Sequence, residues 1–461
     1  MSITAVALVL LLQSDPQNRL NEAIRESNVE AAQKALADLV QGEGPRAARA
    51  VMAALPRARE RLNVLISITQ RARENYASAD TSFGFNINEE VVKQRALEKA
   101  AARVREASLR AMEGEKVYQS ILDIFAFLKP EAIPVMAGEA ERTALWPLKA
   151  EILEGLGALG AKSELAVVID RESSPAALAA ALAAAPTEVG VKYLSHPQWQ
   201  VRHAALDALR RSRGSVGAIV DAMGQNDVRF RRSAAATLFR ITNTELPPQP
   251  EFWRDWWKAN REDFEAGNYN SRDARRPEGP GRTWAFYDVP VHSSRVCFVI
   301  DRSRSMKEQD RFDHARRELK RLLESMPDGS LVNVIFFGWT TSCFAKSPKV
   351  LDATSRKELE VFIDRCGLES GTDLYGALEK ALANIGNPDT GRLLEDGVDT
   401  IVVLSDGQAT VGKIIDDDLL AWVVARRARY LRPVINTISL SSDSKTLRLL
   451  AEKTGGEYRA K

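Results

Sequence analysis

Cysteine and histidine are scarce in this sequence, and their scarcity excludes several kinds of site. Three cysteines among 461 residues do not make a disulfide framework, and their spacing matches no zinc site. The four histidines include no pair spaced to share a metal, so a histidine-based zinc centre is not expected. Cys297 lies inside an apolar run and is predicted to be a core residue. The sequence leaves open whether Cys343 and Cys366 pair.

The chain also lacks an excess of charge of one sign. Its 64 Lys and Arg residues nearly balance its 62 Asp and Glu residues, so no net field draws the protein to nucleic acid or to an acidic membrane surface. The glycine-rich phosphate loop G-x-x-x-x-G-K-[ST] is absent as well. The composition is globular, with 45% hydrophobic and 27% charged residues, and the length predicts two to four domains.

The sequence has no long hydrophobic run. One short run lies near the N-terminus. The run from Ile3 to Leu12 is too short to span a bilayer, and no integral membrane span is predicted elsewhere. Its length fits the core of a secretory signal within residues 1–16, although no basic residue precedes it and the cleavage pattern is poor. A first buried helical turn is the alternative. We favour export to the periplasm or the exterior over a cytoplasmic location.

Residues 17–129 have the apolar spacing of helices and predict a helical hairpin or bundle. A first helix ends at the break Gly42–Pro45, where Pro45 suits the start of the next helix. A loop is predicted at residues 77–84, between the second helix and a third that begins near Asn88. The third helix is rich in charge, which we interpret as a solvated outer face rather than a binding patch.

A faint repeat runs through residues 130–264. The segment Val201–Leu209 aligns with Phe230–Leu238, each carrying an apolar and a basic residue followed by Ala and Leu at helical spacing. Stacked helix pairs of this kind form a solenoid, and the pattern resembles short HEAT repeats with a period of about thirty residues. The segment Phe252–Trp257 places three tryptophans on one helix face, which we interpret as a cap on the solenoid rather than a partner-binding patch.

Glycine and proline mark residues 265–284 as a linker to a different kind of domain. Residues 285–461 alternate apolar strands with amphipathic helices, which predicts a mainly parallel sheet covered by helices on both faces. The predicted fold is therefore multidomain, with an all-α N-terminal half followed by an α/β doubly wound, Rossmann-like domain. Its strands are expected at residues 295–300, 331–337, 400–405 and 433–440, with an edge strand at Tyr458.

Five polar residues are expected to meet at the carboxyl edge of this sheet. Asp301 and Asp406 each follow an apolar strand, and ligands bind doubly wound sheets outside such strand ends. Ser303 and Ser305 lie in the loop after the first strand, and Thr372 starts a helix. Carboxylates and hydroxyls suit a hard cation such as Mg2+, Mn2+ or Ca2+. Such a site is under-coordinated by the protein, so an acidic group of a partner completes it.

These residues resemble the metal-ion-dependent adhesion site of von Willebrand factor A-type domains. The family motif Asp-x-Ser-x-Ser is matched by Asp301, Ser303 and Ser305. The later Thr and Asp of the family are matched by Thr372 and Asp406. With HEAT-like helices ahead of it, the chain looks like a bacterial protein of this type. The resemblance implies that the serines and the threonine ligate the ion directly or nearly so, and that the aspartates act directly or through water.

Two arginines depart from the family pattern. Arg304 stands where glycine is usual between the two serines, and Arg302 precedes the first serine. Guanidiniums beside the site either weaken cation binding or help to bind an acidic partner, since both effects follow from Coulomb forces. A structural scaffold with a non-functional metal site is therefore an alternative.

We predict a non-enzymatic interaction or adhesion protein whose metal site binds Asp or Glu of a protein partner, with the helical repeats as a second surface. The enzyme alternative is a phosphohydrolase with Asp301 as a strand-end nucleophile, but Ser303 stands where those enzymes carry a second Asp. Each hydroxyl or carboxylate alone has a simpler explanation as a helix cap or turn residue. All five in family order favour the metal site. The sequence does not predict the oligomeric state.

Overall fold

The predicted division into an all-α half and an α/β half is confirmed. A computed structural model describes residues 15–81, 87–185, 188–224, 227–270, 284–440 and 443–461. Most of the predicted signal segment, residues 1–14, and part of the predicted linker, residues 271–283, lie outside the described residues. Within the described ranges, none of the helices is long and apolar enough to cross a membrane.

The N-terminal half begins with two short helices and a long helical hairpin, formed by α1 Pro16–Glu26, α2 Val29–Gln41, α3 Gly44–Thr81 and α4 Ile87–Asp123. The predicted first helix is in fact two helices, because Ser27 is left-handed (φ 59°) and Asn28 caps the next helix by accepting a hydrogen bond from Ala31 N. The loop predicted from residue 77 is wrong at its start. Helix α3 continues to Thr81, which fits the helix-forming alanines in this stretch.

A row of shorter helices follows, comprising α5 Ile133–Arg142, α6 Trp146–Ala158, α7 Lys162–Arg171, α8 Pro175–Ala184, α9 Trp199–Leu209, α10 Val216–Met223, α11 Val228–Thr242 and α12 Pro250–Glu265. Helices α6, α8, α9 and α11 begin at intervals close to the predicted period of about thirty residues, in agreement with HEAT-like repeats. Small residues allow close packing, since a Cβ on Gly157 would lie 2.6 Å from the Ala184 Cβ.

The tryptophan-rich helix α12 closes the helical half. Trp253 and Trp256 are buried in a cluster with residues of α10 and α11, which agrees with a cap on the solenoid. At the start of the predicted linker, Tyr269 packs against this helix, and its hydroxyl accepts a hydrogen bond from Trp256 Nε1 (3.0 Å). At its end, Trp284 starts a strand.

The C-terminal half contains eleven strands in the described residues, namely β1 Trp284–Phe286, β2 Val289–Val291, β3 Arg295–Asp301, β4 Leu331–Phe337, β5 Thr341–Cys343, β6 Lys349–Val350, β7 Gly386–Asn387, β8 Arg392–Leu393, β9 Thr400–Ser405, β10 Val434–Ser439 and β11 Tyr458–Ala460. Seven of them form one sheet in the order β11-β10-β9-β3-β4-β5, with β6 also pairing with β4. The pairs from β11 to β4 are parallel, and β5 and β6 run antiparallel to β4. All five predicted strands are confirmed.

Helices cover both faces of this sheet, as the doubly wound prediction requires. They are α13 Arg311–Ser325, α14 Ala353–Arg365, α15 Leu374–Ala383, α16 Asp417–Leu431 and α17 Lys445–Thr454. Strand β3 shows the two faces, since Phe298 joins the core under α13 and α14 while Cys297 and Val299 join the core under α15 and α16. Cys297 is fully buried, and Cys343 and Cys366 are free thiols.

Buried polar contacts join the helical half to helix α16 and its neighbours. Arg229 of α11 donates to the main-chain oxygens of Asp399 (2.7 Å) and Arg432 (2.9 Å). Glu151 of α6 accepts from the hydroxyl of Tyr430. Burial raises the pKa of Glu151 and of Asp399, although nearby arginines oppose that shift. The two halves are therefore joined by charged groups that are costly to leave without partners.

Replacing Arg229 by methionine is expected to destabilise the protein by about 3–5 kcal/mol, because it removes the cation beside the buried Asp399 carboxylate. Arg231→Met is the matched control, since Arg231 lies on the same helix and its side chain has no hydrogen bond or ion pair in the described part of the chain. Denaturant unfolding of both variants measures the difference. Equal stability of the two variants would show that the Arg229 contacts contribute nothing.

Candidate metal centre

The sheet brings Asp301 next to the end of β9. Strands β3 and β9 pair in parallel, with Ile300 opposite Leu404, so the residues that follow lie side by side. Ser405 donates its hydroxyl to Asp301 Oδ2 (2.5 Å), and the Ser303 main-chain N–H donates to Oδ1 (2.7 Å). Burial raises the pKa of Asp301 to about 6, although both hydrogen bonds oppose the shift. A bound cation would favour the ionised carboxylate.

The hydroxyls of Ser303 and Ser305 link the loop after Asp301 to Asp406. The Ser303 and Ser305 hydroxyl oxygens lie 2.9 Å apart, and the Ser305 hydroxyl donates to Asp406 Oδ1 (2.8 Å). Ser303 is also held in place by a parallel bridge to Glu369. The structure thus brings four of the five predicted residues into one hydrogen-bonded group.

Thr372, the fifth predicted residue, is held at the same edge by the loop that follows β9. Its main-chain N–H donates to the Thr410 hydroxyl (2.9 Å), and Thr410 N donates back to the Thr372 carbonyl (3.1 Å). Preceding it, Gly371 adopts φ +77°, a conformation that L side chains rarely adopt. Thr372 is only 5% exposed, and within the described residues its hydroxyl has no hydrogen-bond partner. No hydrogen bond there joins it to the other four residues, so its hydroxyl is available to a ligand.

The two arginines of the motif differ from each other in their surroundings. Arg302 is not a free charge beside the site, because its guanidinium donates to Glu369 Oε2 (2.6 Å) and to the Thr340 hydroxyl (2.9 Å). Arg304 is exposed and, within the described part of the chain, makes no hydrogen bond or ion pair. The charge of Arg302 is therefore paired with a carboxylate, whereas within the described residues the charge of Arg304 has no such partner. Glu369, which pairs with Arg302, lies 67 residues further along the chain.

A different arginine, Arg311, reaches the site, and sequence analysis missed it. Its Nη1 lies 3.3 Å from Asp406 Oδ2 and 3.6 Å from Glu308 Oε2, and its side chain is largely buried. Nothing in the local sequence marks this role, because Arg311 is simply the first residue of α13. The fold alone directs it towards Asp406. A divalent cation at this carboxylate would have to share it with a guanidinium.

The donor set fits a hard cation. Two carboxylates and three hydroxyls offer only oxygen, which Mg2+ and Ca2+ prefer. In the described residues, no group of three His, Cys, Asp or Glu side chains could hold a metal ion, so a site here depends on the hydroxyls. A zinc centre of the usual nitrogen and sulfur type is not supported by these residues.

Residues 294–460 match the family model of the von Willebrand factor type A domain. This region is a von Willebrand factor type A (VWA) domain. The predicted resemblance is thus confirmed for this part of the chain, and the helical N-terminal half is consistent with the predicted repeats. No curated protein matches the sequence.

Several solved structures are similar to the VWA domain at low sequence identity. A von Willebrand factor type A protein from Catenulispora acidiphila is 18% identical over 38% of this chain and 40% of that chain, with a TM-score of 0.30. The ArnB paralog VWA2 from Sulfolobus acidocaldarius is 18% identical over 36% and 40% of the two chains, with a TM-score of 0.25. Proximal thread matrix protein 1 from the mussel byssus, with a zinc-occupied MIDAS motif, is 15% identical over 36% and 40%, with a TM-score of 0.28. The match therefore spans about 40% of these relatives' length.

Ser405→Ala is expected to lower the free energy of unfolding by about 1–3 kcal/mol, because it removes a donor from the buried Asp301 carboxylate. Ser325→Ala is the control, since the Ser325 hydroxyl donates only to its own helix at an exposed position. Denaturant unfolding in metal-free buffer measures both. A Ser405 variant as stable as the Ser325 variant would show that this hydrogen bond does not offset the burial of Asp301.

Proposed function

We propose that the VWA domain binds a divalent cation, Mg2+ or a similar ion, and through it an Asp or Glu side chain of a protein partner. The ligands are Asp301, Ser303, Ser305, Thr372 and Asp406. The observation that carries the proposal is their gathering at one sheet edge, where the Thr372 hydroxyl has no hydrogen-bond partner among the described residues. Mg2+ prefers six oxygens and tends to keep some waters, so a partner carboxylate can complete its shell.

A cleft beside this edge supports a protein partner. Its volume is about 1000 Å³, and it lies between the α3–α4 hairpin and the VWA domain. Asp373 and Thr410 in its wall adjoin Thr372 directly. Trp339, which is 58% exposed, also lines the cleft and offers the kind of aromatic anchor common at binding hot spots. A partner that reaches the ion would thus touch the helical half as well, at the hairpin.

The environment of Asp301 supports a non-enzymatic role. The side chain is fully buried, and each carboxylate oxygen already accepts a hydrogen bond. Such a group is poorly placed to attack a substrate as a nucleophile. The position two residues on is Ser303 rather than a second Asp, so the general acid of the phosphohydrolase alternative is missing as well.

One observation favours a second candidate, a scaffold whose metal site is non-functional. The Arg311 guanidinium lies beside Asp406 and supplies a positive charge where a cation would otherwise do so. In that case the hydroxyl chain would only stabilise the loops. The two candidates differ in whether the protein binds a divalent ion at all.

Calorimetric titration with Mg2+ and Mn2+ separates them. The wild-type protein is expected to bind one ion, and Asp301→Ala and Thr372→Ala are expected to lose that binding because each removes an oxygen ligand. Thr354→Ala, at an exposed threonine on α14, should bind like the wild type. Absence of binding by the wild type would reject the metal site in favour of the scaffold.

The same titration tests the charge on Arg311. Arg311→Gln is expected to bind the ion roughly tenfold more tightly, because a positive charge beside Asp406 is removed. Arg321→Gln is the control, since that exposed arginine lies on the same helix and, in the part of the chain that the structure describes, its ion pair is with Glu318. A weaker affinity in Arg311→Gln would mean that the guanidinium organises the site rather than competing with the ion.

The partner is tested by capture on the full-length protein. A protein retained in Mg2+ should be released by a chelator and should not be retained by Asp301→Ala, because its carboxylate would bind through the ion. Blocking the acidic residues of the captured protein chemically should abolish retention. Retention that is unchanged by chelator would contradict a metal-bridged interaction.

A further inference from the structure

A second cleft lies between the helical repeats and the VWA domain. Its volume is about 760 Å³, which is in the range of about 300–1,000 Å³ typical of small-molecule sites. Pro433, which precedes β10, lies in its wall, so the cleft is near the amino edge of the sheet. The metal centre lies at the opposite, carboxyl edge. The two sites are therefore separate.

Basic side chains from both halves of the chain line this cleft. Helix α11 contributes two of them. Helix α16 contributes two more and the residue after it a third, and a lysine comes from α17. They are Arg229, Arg240, Arg426, Arg429, Arg432 and Lys453. The acidic side chains in the wall are Asp123 and Asp207. The wall itself thus has more positive than negative groups.

Several of these arginines already pair with carboxylates. Among those carboxylates, Glu115 and Glu154 lie outside the lining of the cleft. Arg426 pairs with Glu115 (3.2 Å), Arg429 pairs with Glu154, and Arg432 pairs with Asp207. Arg240 differs, because it is exposed and makes no hydrogen bond or ion pair within the described residues. Lys453 stacks its ammonium over the Trp422 ring at 3.7 Å instead of pairing with an acid.

Uncharged donors in the same wall also have no partners. His203 is 8% exposed, and its Nε2 is buried without a hydrogen bond to any residue that the structure describes. Burial lowers the pKa of His203 well below its usual value, and Arg229 and Arg432 lower it further, so the ring is neutral. Thr237 lines the same cleft, and its hydroxyl makes no hydrogen bond in the described part of the chain. A buried polar atom normally has a hydrogen-bond partner, so the His203 nitrogen indicates a missing one.

We propose that this cleft binds a small multivalent anion that carries phosphate or carboxylate groups. One face of α11 lines the cleft. Its residues there recur at helical spacing, namely Arg229, Ser233, Thr237 and Arg240. Arg240 and Lys453 supply uncompensated charge, and His203 and Thr237 supply hydrogen bonds. A ligand held there contacts α11 on one side and α16 on the other, so it ties the helical half to the VWA domain.

The full-length protein is titrated calorimetrically with inorganic pyrophosphate and, separately, with citrate. Both titrations are made with chelator and no divalent cation, so their outcome is independent of the metal centre. At least one probe is expected to bind and to raise the midpoint of thermal unfolding, because it binds the folded state alone. The probe that binds more tightly shows whether the natural anion is a phosphate or a carboxylate.

Arg240→Gln is expected to weaken that binding about tenfold, because a charge-assisted hydrogen bond is lost. Arg231→Gln is the matched control, since it removes the same charge from the same helix outside the cleft. Thr237→Val should weaken binding without changing the net charge. The proposal is overturned if neither probe binds at millimolar concentration, or if Arg240→Gln and Arg231→Gln have equal affinity, which would indicate general surface charge.

Discussion

The parallel pairing of β3 with β9 is the constraint on which the C-terminal site depends. It sets the ends of two buried strands side by side, and the chain places a carboxylate at or just after each end, Asp301 and Asp406. Burying Asp301 is costly, and the hydroxyl of Ser405 and the N–H of Ser303 offset that cost. The serine hydroxyls, the Thr372 loop and Arg311 are all arranged around this pair of strand ends.

The helical half is attached to the domain that carries the site. Its buried glutamates contact Arg426 and Tyr430 on α16, and Arg229 contacts the residue that follows that helix, Arg432. Helix α16 starts at Asp417, only a short loop after Asp406. The helical half therefore holds an element that is connected directly to the carboxyl edge of the sheet, where the candidate metal site lies. It also supplies one wall of each of the two clefts.

The sequence was sufficient where the pattern is local. The β3 strand follows from an apolar run, and the placement of Asp301 and Asp406 follows from parallel strand ends meeting at one edge. Contacts between distant segments were not predictable, because nothing near Arg302 indicates Glu369 and nothing near Arg311 indicates Asp406. The interface between the halves was missed for the same reason. Short strands such as β7 and β8 carry too few residues to show a period.

The central claim is that these oxygens hold a divalent cation. The most direct measurement is anomalous X-ray diffraction from crystals of the full-length protein soaked in Mn2+. The account predicts an anomalous peak among Asp301, Ser303, Ser305, Thr372 and Asp406, at roughly 2.0–2.3 Å from the serine hydroxyls. Crystals that take up Mn2+ elsewhere, or that leave Arg311 beside Asp406 with no peak at this edge, would contradict it.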